Sequence, residues 1–207
     1  MSNNIEKVAV LGAGTMGAQI AGHLANAGIP SYLFDISQEL AEKGVGILTS
    51  LKPAPLYKPK NTGLIEACNY DQHLEKIKEV DWVLEAVAEN LEIKHKVYNN
   101  IMDFIKDTTI VSSNTSGIPL ADLTEVMPDD VKKRFLITHF FNPPRYMRLL
   151  ELVKGPNTSD DIYNSMAVFG EDVLGKGIVH AKDTPNFVGN RIGVHGGNNA
   201  VRLAIEM

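Results

Sequence analysis

The sequence predicts an α/β fold with a doubly wound, mostly parallel sheet. Short apolar segments alternate with longer amphipathic segments, which is typical of parallel strands joined by crossover helices. A glycine-rich segment also separates the first predicted strand from the first predicted helix. The predicted strands are 6–11, 31–35, 64–68, 82–87, 109–113, 134–138, 148–153 and 177–180, and the predicted helices are 15–27, 37–51, 71–79, 92–105, 159–174 and 187–207.

The glycine-rich segment has the spacing of a dinucleotide-binding loop. Gly12 permits a tight turn, Gly14 lets the backbone approach a pyrophosphate, and Gly17 lets the following helix lie close to the strand. Asp35 ends the next strand, where a carboxylate can accept both ribose hydroxyls and would repel a 2′-phosphate. We therefore expect a Rossmann-type domain that prefers NAD to NADP. The residues expected at the cofactor are Gly12, Gly14, Thr15, Met16, Gly17 and Asp35.

Composition argues against several classes of protein. With 207 residues, 44% of them hydrophobic, the chain can bury a large core, and its single Cys68 allows no internal disulfide. A net charge of −5 argues against nucleic acid as a partner. Because neither a leader sequence nor a long apolar run is evident, we expect a cytoplasmic protein without membrane insertion. The histidines lack ligand spacing, so we expect no metal.

The chain divides into two parts of unequal length. Residues 1–184 are predicted to form the NAD-binding domain, and residues 185–207 a hinge and the first helix of a truncated, helical C-terminal domain. No helix stop precedes Met207, so we expect a fragment whose second domain is missing. Residues 52–60 contain three prolines, and we expect an exposed loop without regular helix there.

Polar side chains follow the fifth and sixth predicted strands, where a doubly wound sheet binds its ligands. The segments are SSNTSG at 112–117 and HFFNPP at 139–144. Oxidation of an alcohol by NAD requires a base, and histidine has a suitable intrinsic pKa. His139 is therefore the candidate base, and Glu151 could accept a hydrogen bond from its other ring nitrogen. The alternatives are a core histidine bonded to a carbonyl and a solvated glutamate.

Together these motifs resemble the L-3-hydroxyacyl-CoA dehydrogenases of fatty-acid β-oxidation. The resemblance runs along the whole chain, through the segments GAGTMG, EAVAEN, SSNTSG, HFFNPP and KDTPNFVGNR. The KPAPL and LGKG segments look closest to the bacterial version, in which this module belongs to a longer polypeptide with an enoyl-CoA hydratase-like region.

The resemblance implies a fold, a reaction and a set of residues. It implies oxidation of L-3-hydroxyacyl-CoA to 3-oxoacyl-CoA with NAD, and a homodimer formed through the missing domain. It also implies that His139 and Glu151 are the catalytic pair, with Ser116 and Asn190 hydrogen-bonding the substrate around its reacting oxygen. It places Glu89, Lys94 and Asn142 at or near the nicotinamide ribose, and Ser116 is also expected to contact the cofactor.

Other interpretations of these residues remain open. Ser116 could instead serve a turn or helix cap, Asn190 could be a helix-surface amide, and Glu89 with Lys94 could be a weak surface ion pair. A group of polar residues in and before the proline-rich loop could contact the phosphates of coenzyme A or only face solvent. Its members are Ser50, Lys52, Lys58 and Lys60.

Two other functions are compatible with the same motifs. One is an NAD-dependent dehydrogenase of a small hydroxy or sugar acid, because the fold does not dictate the substrate. The other is a non-catalytic NAD-binding module, such as a sensor or a crystallin-like protein. The presence of both His139 and Glu151 argues against the second.

Overall fold

A computed structural model describes residues 5–206, and in them eight strands form a single sheet. Its strand order is β3-β2-β1-β4-β5-β6-β7-β8, and all neighbouring strands are parallel except the antiparallel pair β6 and β7. The predicted α/β class is therefore confirmed. The strands are β1 (Val8–Leu11), β2 (Ser31–Asp35), β3 (Ile65–Asn69), β4 (Trp82–Glu85), β5 (Ile110–Ser113), β6 (Phe135–Phe140), β7 (Leu149–Lys154) and β8 (Gly177–Ala181).

Helices connect most of these strands. Polar side chains begin three of them, because Ser37, Asn90 and Ser159 each accept a hydrogen bond from a backbone N–H in the first helical turn. The predicted cap at Ser159 is thus confirmed. The α-helices are α1 (Thr15–Asn26), α2 (Gln38–Ile47), α3 (Leu91–Ile101), α4 (Leu120–Leu123), α5 (Asp129–Lys132), α6 (Asp160–Val168) and α7 (Gly189–Glu206).

Several predicted boundaries were wrong, each for a local reason. Helix α2 ends at Ile47 rather than at residue 51, and the hydroxyl groups of Thr49 and Ser50 bond backbone carbonyls of its last turn. Strand β4 ends at Glu85 rather than at residue 87, because the N–H of Val87 donates to the Glu85 side chain instead of to a neighbouring strand.

The helical segments outside the α-helices also differ from the prediction. A 3-10 helix, Pro59–Leu64, begins inside the proline-rich loop, since a proline at the first position needs no N–H partner. Only Leu74–Glu79 of the segment 71–79 is helical, again as a 3-10 helix. The predicted helix 159–174 is α6 followed by a π-helical turn, Phe169–Val173, and Gly175 ends it with a φ of +65° as expected.

Helix α7 lies outside the packed part of the molecule. No residue of Gly189–Glu206 is buried, and its exposed side chains include Ile192, Val201 and Ile205. Asn186 and Phe187 precede it with φ values of 63° and 46°. The chain therefore changes direction at these two residues, near the start of the segment 185–207 that was predicted to contain a hinge. No helix within residues 5–206 has the length and apolar character needed to cross a membrane.

The buried side of α1 carries an ionisable residue. His23 is 7% exposed, and its Nε2 contacts the Leu174 carbonyl at 3.1 Å. Because a carbonyl only accepts, Nε2 carries the proton of the neutral ring. Burial, aided by the nearby charge of Lys176, lowers the pKa of His23 from 6.5 to about 4.

We expect the stability of the fold to fall between about pH 6.5 and about pH 4 in part because of His23. The folded-state pKa is lowered, so the unfolded chain binds more protons in this window and gains stability as the pH falls. The contribution reaches about 2 kcal/mol near pH 4.5. Urea unfolding of wild type and His23→Gln at about pH 7 and about pH 4.5 measures it. The glutamine keeps an N–H donor and does not titrate, so equal losses in both proteins would contradict the assignment.

Candidate active site

The loop between β1 and α1 has the geometry that its glycines predict. Gly12 has a φ of +103°, and a Cβ there would lie 2.7 Å from the Ala86 carbonyl oxygen. A Cβ on Gly17 would collide with the Gly12 carbonyl oxygen. Both positions therefore require glycine, one for its conformation and both for the close approach of backbone.

Gly14 differs from its neighbours, since a Cβ there would meet nothing within 4 Å. It is the N-cap of α1, and no side chain caps that helix end. Partial positive charge and free N–H groups at such an end suit a phosphate. The residues present thus fit the pyrophosphate of a dinucleotide, which would lie along the open side of Gly14.

Two clefts meet at this loop. One, of about 270 Å³, is bordered by Ala13, Asp35 and Lys43, and the Asp35 carboxylate accepts a hydrogen bond from the Ala13 N–H at 2.8 Å. The other, of about 450 Å³, lies between the start of α1 and the ends of β4 and β5. The second cleft is lined by Gly14, Thr15, Met16, Ala86, Val87, Ala88, Glu89, Asn114 and Ser116.

The expected contact between His139 and Glu151 is confirmed. They are direct partners in the antiparallel ladder of β6 and β7, and His139 Nδ1 lies 2.7 Å from Glu151 Oε2. Both residues are buried, at 5% and 0% exposure. Because the carboxylate is the acceptor, Nδ1 carries the proton, and Nε2 is left as the lone-pair nitrogen with no hydrogen bond to residues 5–206.

The second oxygen of Glu151 binds the start of α7. Oε1 accepts hydrogen bonds from the N–H groups of Val188 at 2.9 Å and Gly189 at 2.7 Å. The His139 ring also packs against two aromatic rings, with centroid distances of 4.5 Å to Phe141 and 5.7 Å to Phe187. The orientation of the imidazole is therefore fixed by hydrogen bonding and by packing.

A buried polar network lies at the end of β4, next to residues 86–89, which line the larger cleft. Glu85 is fully buried at the end of β4, and one of its oxygens accepts from Lys94 Nζ at 2.8 Å and from the Val87 N–H at 2.7 Å. The other accepts from the hydroxyls of Tyr98 at 2.9 Å and Ser113 at 2.6 Å. Burial and the neighbouring carboxylate raise the pKa of Tyr98 well above its ordinary value.

Glu89 extends this network to the surface of the cleft. It accepts from the Thr115 hydroxyl at 2.6 Å and the Ser116 N–H at 2.7 Å, and it lies 3.2 Å from Lys94 Nζ. Burial alone would raise the pKa of Glu89, but the hydrogen bond from Thr115 and the charge of Lys94 outweigh it and lower the pKa.

The interpretation of Lys94 as part of a surface ion pair was wrong. Its side chain is 1% exposed, and its Nζ lies 2.8 Å from the buried Glu85 and 3.2 Å from Glu89, whose side chain is 44% exposed. Asn142 is held by Gln19 of α1, whose Nε2 donates to its side-chain oxygen at 3.0 Å. Ser116 is exposed at the cleft and Asn190 is half-buried in the first turn of α7.

The polar residues considered for coenzyme A are exposed, and none of them lines either cleft described above. They are Ser50, Lys52, Lys58 and Lys60. Over the described part of the chain, no three His, Cys, Asp or Glu side chains gather where they could hold a metal ion.

Three structural residues of the site were not expected from the sequence. Glu85 could have been found, because it is a charged residue at the end of an otherwise apolar strand. Lys176 is buried, and its Nζ donates to the carbonyls of Pro144 and Met147, both in the loop between β6 and β7. Its burial lowers its pKa from 10.5 to about 8. Arg145 of the same loop carried no local signal.

Fold and site together define a Rossmann-type, dinucleotide-binding domain. The family model for the 3-hydroxyacyl-CoA dehydrogenase NAD-binding domain matches residues 7–184. The chain belongs to this family, and its cofactor is NAD.

Individual relatives agree with the family match. The chain is 46% identical to a probable 3-hydroxyacyl-CoA dehydrogenase of Bacillus subtilis and 45% identical to one of Deinococcus radiodurans, over 95% and 93% of its length. It spans 28% and 58% of those two proteins. The crystal structure of FadB2 from M. tuberculosis superposes with a TM-score of 0.87 at 28% identity, covering 98% of this chain and 72% of that one.

We expect Lys94→Met to lower the free energy of unfolding by about 3 kcal/mol, because it leaves the buried Glu85 carboxylate without its cation. The loss stays near the lower end of the usual range since Tyr98 and Ser113 still donate to Glu85. Urea unfolding of this variant and of Lys96→Met, an exposed lysine of the same helix, measures the difference. The double variant Glu85→Gln/Lys94→Met should recover part of the loss. Equal losses in Lys94→Met and Lys96→Met would refute the role of the buried pair.

Proposed function

We propose that the whole protein oxidises the 3-hydroxyl group of an L-3-hydroxyacyl-CoA to the ketone with NAD, as a step of fatty-acid β-oxidation. The observation that carries this proposal is the buried contact of 2.7 Å between His139 Nδ1 and Glu151 Oε2, at the edge of the sheet where the glycine loop lies. The names of the relatives, two of them probable 3-hydroxyacyl-CoA dehydrogenases, support the choice of substrate.

His139 acts as the general base in this proposal. Its Nε2, which is free of protein partners among residues 5–206, takes the proton of the substrate hydroxyl. Glu151 keeps Nδ1 protonated and stabilises the imidazolium that forms. Ser116 and Asn190 hydrogen-bond the substrate around its reacting oxygen. NAD, when bound, supplies the acceptor for the hydride that leaves the same carbon.

The remaining residues bind and orient the cofactor. The loop from Gly12 to Gly17 holds the pyrophosphate, and Asp35 accepts the ribose hydroxyls of the adenosine. The nicotinamide ribose is positioned by Glu89, Lys94 and Asn142, directly or through neighbours. Glu89 borders the cleft, and the buried Lys94 lies below the cleft and pairs with Glu89.

Further parts of the proposal concern the whole protein. Residues 1–184 form the NAD-binding domain, and 185–207 the hinge and first helix of a second, helical domain, which the exposed apolar side chains of α7 support. That domain would also form a homodimer. We further propose a cytoplasmic location. We also propose that the phosphates of coenzyme A contact Ser50, Lys52, Lys58 and Lys60, and the exposure of the three lysines supports this contact.

Replacement of the base tests the reaction. In the full-length protein, His139→Gln should lower the turnover of acetoacetyl-CoA with NADH by about 10²- to 10⁴-fold, the usual contribution of a general acid or base. The dissociation constant for NADH, measured by calorimetry, should change little. His95→Gln, which replaces a histidine of α3 whose Nε2 hydrogen-bonds the Asp122 carbonyl, is the control. A wild-type protein without turnover, or a variant that loses NADH binding, would count against the proposal.

Asp35 tests the cofactor assignment. Asp35→Ala removes two expected hydrogen bonds from ribose hydroxyls to a carboxylate. We therefore expect NADH to bind about 10- to 100-fold more weakly, and the preference for NADH over NADPH to become smaller. Calorimetric titration with both cofactors measures the change. Glu39→Ala, an exposed acid in the first turn of α2, serves as the matched control. An unchanged affinity of Asp35→Ala for NADH would remove this carboxylate from the site.

A further inference from the structure

The proline-rich loop and the loop after His139 are joined through one side chain. Arg145, in the connection between β6 and β7, donates from Nη1 to the carbonyl oxygens of Ala54 at 2.6 Å and Leu56 at 2.9 Å. The two partners are about ninety residues away in the sequence, at separations of 91 and 89. Hydrogen bonds from a guanidinium are charge-assisted and stronger than those between neutral groups.

Aromatic rings strengthen the same contact. The guanidinium carbon of Arg145 lies 4.4 Å from the ring centroid of Tyr57 and 5.0 Å from that of Tyr146, within the range of cation–π attraction. The Tyr146 hydroxyl also donates to the Ala54 carbonyl at 3.1 Å. We call Ala54, Leu56, Tyr57, Arg145 and Tyr146 the arginine clamp.

Each side of the arginine clamp is anchored elsewhere. On one side, the Asn26 side chain of α1 bonds the Pro55 carbonyl and the Tyr57 N–H, both at 2.8 Å. On the other side, Lys176 holds the carbonyls of Pro144 and Met147 from within the core. The clamp therefore joins two supported loops and sets the distance between them.

The two loops carry different parts of the proposed site. The proline-rich loop carries the exposed Lys52 and Lys58. The other loop directly connects the strands of His139 and Glu151. A substrate with an anionic nucleotide at one end and a reacting oxygen at the other would need these two regions at a fixed separation.

We propose that Arg145 is a positioning residue, which aligns the lysine-bearing loop with the catalytic pair for a substrate that carries a nucleotide-containing tail. This inference rests on the proposed function. Arg145 acts through the proline-rich loop and leaves the orientation of His139 to Glu151 and the aromatic rings beside it. Loss of the clamp thus impairs capture of the tail more than it impairs the reaction.

Two thioesters distinguish this role from a general structural one. In the full-length protein, Arg145→Ala should raise KM for acetoacetyl-CoA about tenfold, while kcat and the dissociation constant for NADH change less than about twofold. With acetoacetyl-pantetheine, which lacks the nucleotide, kcat/KM should stay within about twofold of wild type. Arg145→Lys, which keeps the charge but not the planar guanidinium, should fall between wild type and the alanine variant.

Arg148→Ala is the matched control, because Arg148 lies three residues further along, is exposed, and makes no side-chain hydrogen bond or ion pair within the described part of the chain. It should leave both thioesters unaffected. Equal losses with the two thioesters in Arg145→Ala would overturn the proposal in favour of a role in the catalytic pair, and no loss with either would also overturn it.

Hydrogen–deuterium exchange tests the clamp without any turnover. We expect peptides covering residues 49–64 to exchange faster in Arg145→Ala than in wild type or Arg148→Ala. Unchanged exchange would refute the clamp. A wild-type protein that is inactive with both thioesters would refute the proposed function, whereas an active wild type with an unaffected Arg145→Ala would refute only this inference.

Discussion

The site depends on a single buried carboxylate. Glu151 has no exposed surface, and its oxygens are bonded by His139 of β6 and by the N–H groups of Val188 and Gly189 at the start of α7. An ionisable group is costly to bury unless its hydrogen bonds are satisfied, so these three donors account for its position. One side chain therefore orients the candidate base and fixes the direction in which the chain leaves the sheet.

This arrangement requires the reversal of strand direction at β7. The antiparallel ladder places His139 directly opposite Glu151, so both side chains point to the same face of the sheet. A slip of one residue would turn Glu151 to the other face. The loop that makes the reversal is held from the core by Lys176, whose Nζ donates to the carbonyls of Pro144 and Met147, and these contacts support the register.

The end of β4, beside the larger cleft, also contains a buried carboxylate whose hydrogen bonds are satisfied. Glu85 is buried among four donors, and Lys94 joins it to Glu89 at the edge of the cleft. A charged residue can thus lie at the end of an apolar strand because its partners come from α3 and β5. Networks of this kind rigidify a site when every member is satisfied, which suits the role that we propose for Glu89 and Lys94 at the nicotinamide ribose.

The sequence by itself determined the alternation of strands and helices, the glycine loop, and the candidates Asp35, His139 and Glu151, because periodicity and motif spacing are local properties of a chain. Only the tertiary structure decided that Lys94 is buried and that Glu151 also binds the start of α7. The same holds for the contact of Arg145 with the proline-rich loop. These features depend on partners brought together by folding from distant parts of the chain, and a local pattern carries no information about such distances.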